Sequence, residues 1–393
     1  MSRFLATAAM TMAAIAASAA SVAYAVEPVR IGFSIGKTGI FASAAPSEMN
    51  SYELWREQVN AAGGLSIGGK EKRPVQFVVY DDQSDPAQAA RIYEKLITQD
   101  KVDLVMAPYG TPTHVAVVPV LERYKMPMVG NTAASAKLRE LQAKHIWFVT
   151  GAFPDRVADG LVQLMKANNV KTVALLVNVS PFSKEVQSYL EPALKAQGMQ
   201  TTVSVQYPPD IKDMTVQLLK VKAAHPDAVL SLSYPSDSTI YVRQAKELGI
   251  AAPFQFVLLG PGASFFPKLL GAATNNLLMM GDWAPTLNAQ SQQFYDAYKK
   301  KFNEAPDFLD SAETWASCQV LEQAVARVGL DHDKLTQAIA TGQFDTILGT
   351  IRFDGVENRA TRMAILQMRN GQPQVVWPKE IATSRFEPKS GWQ

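Results

Sequence analysis

Beyond Glu27 the chain alternates short apolar runs with amphipathic stretches. The run Val29–Ile35 (VRIGFSI) predicts a buried strand. In Ser47–Ala62 the residues Met49, Tyr52, Trp55 and Val59 recur at intervals of three and four, which predicts a helix. Val75–Tyr80 predicts the next strand. Asp85-Pro86 then supplies a capping side chain and a first-turn proline for a helix reaching Thr98. Val102–Ala107, Thr113–Tyr124 and Pro127–Val129 continue as strand, helix and strand. This order calls for a mainly parallel sheet covered by helices on both faces.

The alternation then restarts. Strands are expected at His145–Thr150, Thr172–Val177, Thr201–Gln206, Ala228–Leu232 and Phe254–Leu259, and helices near Asp155–Asn168, Ser183–Ala196, Met214–Ala224 and Ser238–Leu248. Two successive runs of similar length imply two α/β lobes. Beyond Leu277–Gly281 helices dominate, at Gln290–Phe302, Asp310–Val328 and Asp333–Ala340. Asn370-Gly371-Gln372 predicts a turn between Met363–Met368 and Pro373–Val376.

Composition narrows the function classes. The 393 residues, 47% hydrophobic and 19% charged, suffice for two or three packed domains and exclude global disorder. A net charge of +2 without a basic block gives no nucleic-acid footprint. The single cysteine, Cys318, excludes internal disulfides and cysteine-based metal sites; His114, His145, His225 and His332 are scattered without ligand spacing. No metal and no cofactor is expected.

Arg3 is the only charged side chain before Glu27, and the apolar stretch between them ends in Ala23-Tyr24-Ala25. That pattern predicts a signal peptide over residues 1–25, favoured over a membrane anchor by its weakly apolar, alanine-rich character and its cleavage site. No cysteine stands at the cleavage site to carry a lipid, so the expected product is a free, soluble monomer, as in a Gram-negative periplasm.

Catalytic motifs fail one by one. Gly36-Lys37-Thr38 follows the first strand, but only three residues separate Gly32 from Gly36, too few for a phosphate cradle. No G-x-G-x-x-G follows a strand and no G-x-S-x-G elbow is present. Asp81-Asp82 reads as a solvated strand-end turn. A binding protein is expected, not an enzyme. The best anion-binding candidate is Pro108-Tyr109-Gly110-Thr111-Pro112-Thr113, where Thr111 is expected to cap a helix and leave the amides of Thr113 and His114 for a carboxylate. Gly130-Asn131-Thr132-Ala133-Ala134-Ser135 offers further donors.

Five segments carry a resemblance: IGFSIGKTGIFASAA near the start, QVNAAGGL at Gln58–Leu65, VVYDDQSDPAQAARIYEKLITQDKVDLVMAPYGTPT, QAKELGI at Gln244–Ile250, and ILGTIRFDG at Ile347–Gly355. Together they resemble the substrate-binding proteins of ABC importers of the branched-chain amino-acid type, in order and over essentially the whole chain after residue 25. The resemblance implies a type I periplasmic binding fold: two Rossmann-like lobes joined by three hinge crossings, near Phe148–Gly151, Gly281–Pro285 and Phe353–Asn358. Residues 26–148 and 285–353 would form the first lobe, 149–284 and 354–393 the second. It also implies permease subunits in the inner membrane as partners, although a ligand sensor of the same fold is compatible.

Carried over residue by residue, the family pocket falls on Phe41, Thr111, Asn131, Ala133, Phe182, Tyr234 and Gly262, with Trp283 a further aromatic candidate. Thr111 would place a hydroxyl on a ligand carboxylate. Ala133 departs from the frequent Thr or Ser and would offer only its amide. The amino-acid binders of the family place a Glu in the loop that here reads Gly260-Pro261-Gly262-Ala263. A buried ammonium without a counter-charge costs several kcal/mol. The expected ligand is therefore a small carboxylate with an apolar or aromatic body and no α-ammonium, such as an aromatic or 2-oxo acid. The alternative is an amino acid whose counter-charge comes from Asp155 or Asp282.

Overall fold

A computed structural model describes residues 27–140 and 142–392. The expected signal segment, residues 1–25, lies outside them. Among the described residues no helix is long and apolar enough to cross a membrane.

In the first lobe Val29–Ile35 is the central strand, flanked in parallel by Val75–Asp81 and Leu104–Val105. Val29, Ile31, Phe33 and Ile35 are at most 1% exposed. Helices press on both faces of a parallel strand, so its apolar pattern is nearly continuous rather than alternating. Met128–Gly130 pairs in parallel with Ile146–Phe148. In the second lobe the strand order is Gln372–Trp377, Ala364–Arg369, Leu278–Gly281, Phe254–Val257, Ala228–Leu232, Thr172–Asn178 and Gln200–Tyr207. The last five run parallel, and the first two close the sheet as an antiparallel hairpin. Its turn places Asn370 at φ 50° and Gly371 at φ 76°, the two positive values that a two-residue I′ turn requires.

Local chemistry explains the helix starts. Asp85 accepts the amide of Gln88 at 2.7 Å and Pro86 opens the helix Pro86–Thr98, as expected. The strand expected at Val102–Ala107 shrinks to Leu104–Val105. Two short hairpins, Leu65–Ile67 with Glu71–Arg73 and Phe344–Thr346 with Gly349–Ile351, left no sequence signal because three residues are too few for a period to show.

The chain passes between the sheets after Phe148, after Gly281 and after Asn358. The third passage is later than expected. Phe353–Asp354 and Glu357–Asn358 join Ile146–Phe148 in the first lobe, so residues 354–358 do not belong to the second sheet. The reason is a polar knot at the hinge. Glu357 is 1% exposed and takes ion pairs from Arg139 and, at 3.2 Å, from Arg156. Asn358 donates to the Val149 carbonyl at 2.7 Å and its own carbonyl accepts Arg156 at 3.0 Å. Breaking a buried ion pair costs several kcal/mol, less where the freed cation reaches water. Because Arg139 and Arg156 are about a third or less exposed, Glu357→Ala should lower unfolding stability by about 2 kcal/mol in a chemical denaturation series. An unchanged midpoint would remove the knot from this account of the hinge.

Candidate functional site

The cleft between the lobes is built at the carboxyl ends of strands, where open α/β sheets place their ligands. The loop after Val29–Ile35 forms one rim. Asp81 accepts the Lys37 amide and the Thr38 hydroxyl, both at 3.0 Å. Asp82 accepts the Ser34 hydroxyl at 2.6 Å and is 1% exposed. Ser84 donates to the Thr38 carbonyl at 2.7 Å and accepts the Phe41 amide at 3.1 Å. The acidic pair is thus an anchor for this loop rather than a solvated turn. Gly39, at φ 86°, lies so close to the Gln83 carbonyl that a Cβ there would sit 2.4 Å from it. Held this way, the Phe41 ring packs on Tyr109 with centroids 5.3 Å apart.

The helix Thr111–Tyr124 starts at the cleft. Gly110, at φ 85°, is its cap and Thr111 its first residue, one position from expectation. The His114 amide returns to the Gly110 carbonyl at 3.2 Å and is spent. The amides of Thr111 and Thr113 lie in the first turn, which has no intrahelical acceptor for them. The His114 ring is buried against the Gly110 carbonyl, and burial lowers its pKa to about 4, so it adds no charge. The first turn is therefore a partial positive pole for an anion.

Opposite it begins the helix Asp310–Val328. Tyr109 donates its phenol to Asp310 at 2.7 Å, and the Asp307 carboxylate receives the amides of Leu309 and Asp310, each at 2.8 Å. Glu313, one turn further, is 2% exposed with Oε1 unpartnered. Asp282 stands near it, 3% exposed, with Oδ1 unpartnered and Oδ2 on the Gly151 amide at 3.4 Å. Burial, then the charge of Asp307, pushes Asp310 up to about 8; burial pushes Asp282 up to about 7 and Glu313 well above the usual range.

A cavity joins these walls, bordered by Phe41, Thr111, Ala133, Phe182 and Tyr234 together with Tyr109, Thr150, Asp310 and Glu313. Five of the seven expected site residues therefore meet. Gly262 borders an adjoining recess that shares Tyr109, Leu259 and Asp310 with the cavity. Across the mouth, Glu185 of the second lobe accepts the Ala136 amide of the first at 2.7 Å.

Four expectations need correction. Asn131 does not reach the cavity: it is fully buried, and its Nδ2 donates to Glu48 and Tyr52, both at 2.8 Å, and to Thr314 at 3.2 Å. The Ala133 amide is already bonded to the Asn131 carbonyl at 2.8 Å, leaving only a methyl group for a ligand. Trp283 is fully buried against Phe308 and Phe294, away from the cavity lining. Asp155 is neutralised by Arg139, 2.9 Å from both carboxylate oxygens, and offers no counter-charge.

A model of the family described as periplasmic binding protein matches residues 28–373. The chain belongs to the periplasmic binding protein family. Among curated relatives, the Leu/Ile/Val-binding protein homolog 7 of Brucella suis biovar 1 (strain 1330) is 25% identical over 95% of this chain and 97% of its own length. Among solved structures, the branched-chain amino acid transporter substrate binding protein of Streptococcus pneumoniae, in complex with isoleucine, superposes with a TM-score of 0.80 at 22% identity, covering 90% of this chain and all of that one. A solute binding protein of an ABC transporter from R. palustris, in complex with benzoate, gives 0.77 at 18% identity, covering 89% and 96%. The fold is that of the type I periplasmic binding proteins.

In this periplasmic binding protein the residues that sequence reading missed are Tyr109, Asp310 and Glu313. Their acids look like ordinary first-turn residues of a helix, and only the fold turns them into the cleft. The clue was Asp310-x-x-Glu313 at the start of a long apolar helix with no basic residue nearby. A carboxyl whose folded pKa is raised stabilises the protein below its unfolded value near 4, and that stability is lost as pH rises through about 8. Asp310→Asn should therefore raise the melting temperature of the ligand-free protein at pH 8.5, by about 2 °C or more, and change it little at pH 5. A gain of the same size at both pH values would contradict the raised pKa. Asn131→Ala strips Glu48 and Thr314 of a buried donor and should cost about 1–3 kcal/mol in urea unfolding. A cost near zero would mean that those groups find other partners.

Proposed function

We propose that this protein is the periplasmic solute-binding component of an ABC importer. It captures a small amphoteric ligand, of the apolar amino-acid type, by closure of its two lobes and presents it to permease subunits in the inner membrane. The observation that carries the ligand class is the pairing of opposite poles across one cavity. The amides at the start of Thr111–Tyr124 face a carboxylate, and Asp310 with the unpartnered Glu313 faces an ammonium. Phe41, Phe182, Tyr234 and Leu259 enclose the apolar body.

The glycine-rich loop at Gly262 supports the same reading. A Cβ at Gly262 would lie 3.8 Å from Asp307 Oδ2. An acid on that loop would meet acids already present on the first lobe, so the counter-charge has changed lobes rather than vanished. We therefore favour an amino acid over the expected ligand without an ammonium, the class that the benzoate complex of the R. palustris neighbour represents. The name of the Brucella relative and the isoleucine complex agree with this class. The lobes are taken as 26–148 with 285–358, and 149–284 with 359–393. Catalysis is not part of this reading, which follows the binding proteins that the chain resembles.

A thermal-shift screen of the twenty standard amino acids against benzoate, 3,4-dihydroxybenzoate and phenylpyruvate tests the ligand class, because a tight ligand raises the melting temperature by mass action. Stabilisation by one or more apolar amino acids is expected; stabilisation by the aromatic acids alone would restore the carboxylate-only ligand. Thr111→Ala should weaken binding by about 1 kcal/mol, since its hydroxyl is shared with Ala134, and Glu313→Gln by on the order of 2 kcal/mol, since the charge itself is lost. Equal affinities in wild type and Glu313→Gln would exclude the acid from the ammonium subsite.

A further inference from the structure

The carboxylates of the cleft do not end at the ligand subsite. Glu313 lines the cavity, and Asp282 stands behind it in the second interlobe crossing, holding the Gly151 amide of the first crossing. Asp282 and Glu313 each act directly on the other's protonation, as carboxyl groups do that stand close enough for a hydrogen bond. Such a bond forms only if one of them carries a proton, because an ionised carboxylate is an acceptor alone. Glu313 Oε1 and Asp282 Oδ1 are both buried, and neither accepts a hydrogen bond from an N–H group or a hydroxyl.

The groups that face the cluster from each packed element are the Thr150 hydroxyl on Glu313, the Tyr109 phenol on Asp310, and the amides of Leu309 and Asp310 on Asp307. Glu48, Tyr234 and Tyr298 act on it from the helix Ala45–Ala61, the second lobe and the helix Ala289–Phe302. None of these is cationic. Arg139 and Arg156, the basic residues of the hinge, are committed to Asp155 and Glu357. Among the described residues Asp282, Asp307, Asp310 and Glu313 therefore have no protein cation to balance them.

We propose that capture of a ligand ammonium by Glu313 expels the proton that Glu313 shares with Asp282, so that binding is an exchange of a cation for a proton. The inference rests on the amphoteric-ligand reading above. In the step itself a carboxyl O–H bond breaks, its proton leaves to water, and an ammonium N–H takes over the freed oxygen. The ligand keeps its charge, and one proton is released for each ligand bound. Proton and ammonium compete for one oxygen, so affinity falls as pH drops below the range where the cluster ionises. With Asp282 near 7 and Asp310 near 8, that range is about pH 6–8.

Isothermal titration of the purified protein with the amino acid selected by the screen tests this, in buffers of different ionisation enthalpy at pH 6, where the cluster still holds its proton. Release of close to one proton is expected, with an affinity that rises up to about tenfold per pH unit between pH 6 and 8. Asp282→Asn keeps the Glu313 carboxylate but removes the partner that shares its proton. It should bind the same ligand with proton release and pH dependence both reduced by at least half. Wild-type binding without proton release, at an affinity independent of pH, overturns the exchange while leaving the ligand class intact. Full proton release in Asp282→Asn overturns the assignment to this pair. If no amino acid binds, the ligand class fails and the exchange falls with it.

Discussion

Negative charge buried without a protein counter-charge is the constraint around which this cleft is organised. A carboxylate withdrawn from water costs several kcal/mol unless it is protonated, hydrogen-bonded or paired. Asp307 meets the cost with two amides at the start of a helix, where the macrodipole adds its share. Asp310 meets part of it with the Tyr109 phenol. Glu313 and Asp282 are left with each other, one hydroxyl and one long amide contact. The positions of Tyr109, Thr150 and Gly151, and through Tyr109 the seating of Phe41, all follow from holding these acids in place.

Much of the fold was legible in the sequence because its signals are local. Val29–Ile35, Ala228–Leu232 and Asp310–Val328 form with the bounds that periodicity assigns them. Pro86 behind Asp85, and Asn370-Gly371 in the hairpin, act through chemistry confined to a few residues. Legibility fails where a residue's role is set by distant partners. Asn131 reads as a donor for a ligand, yet its amide joins Glu48, Tyr52 and Thr314, which stand 83, 79 and 183 positions away. Glu357 carries no sequence signal, and one arginine from each side of the hinge, Arg139 and Arg156, makes it a buried anchor. The acids at 310 and 313 belong to the same class: helix-start residues by pattern, cleft residues by topology.

The family resemblance points to residues from several elements, and five of the seven, Phe41, Thr111, Ala133, Phe182 and Tyr234, line one cavity. The loop at Gly262 has indeed lost its acid, but loss at one position says nothing of compensation from another wall. Asp307 stands across from Gly262, a proximity visible only in three dimensions. A charge balance over a pocket has to be summed over all the elements that face it, whatever their separation along the chain.

The acids and the first turn of Thr111–Tyr124 sit on the same lobe, since the helix Asp310–Val328 is tied to the helix Ala45–Ala61 through Ser51 and Ser311. The second lobe contributes Phe182, Tyr234 and Leu259, which are rings and aliphatic surface. On the proposed reading, a ligand would keep both of its charged contacts when the lobes swing apart and lose only its apolar cover. Opening would itself admit water to those charged contacts and weaken them, which makes delivery a solvation event more than a mechanical one.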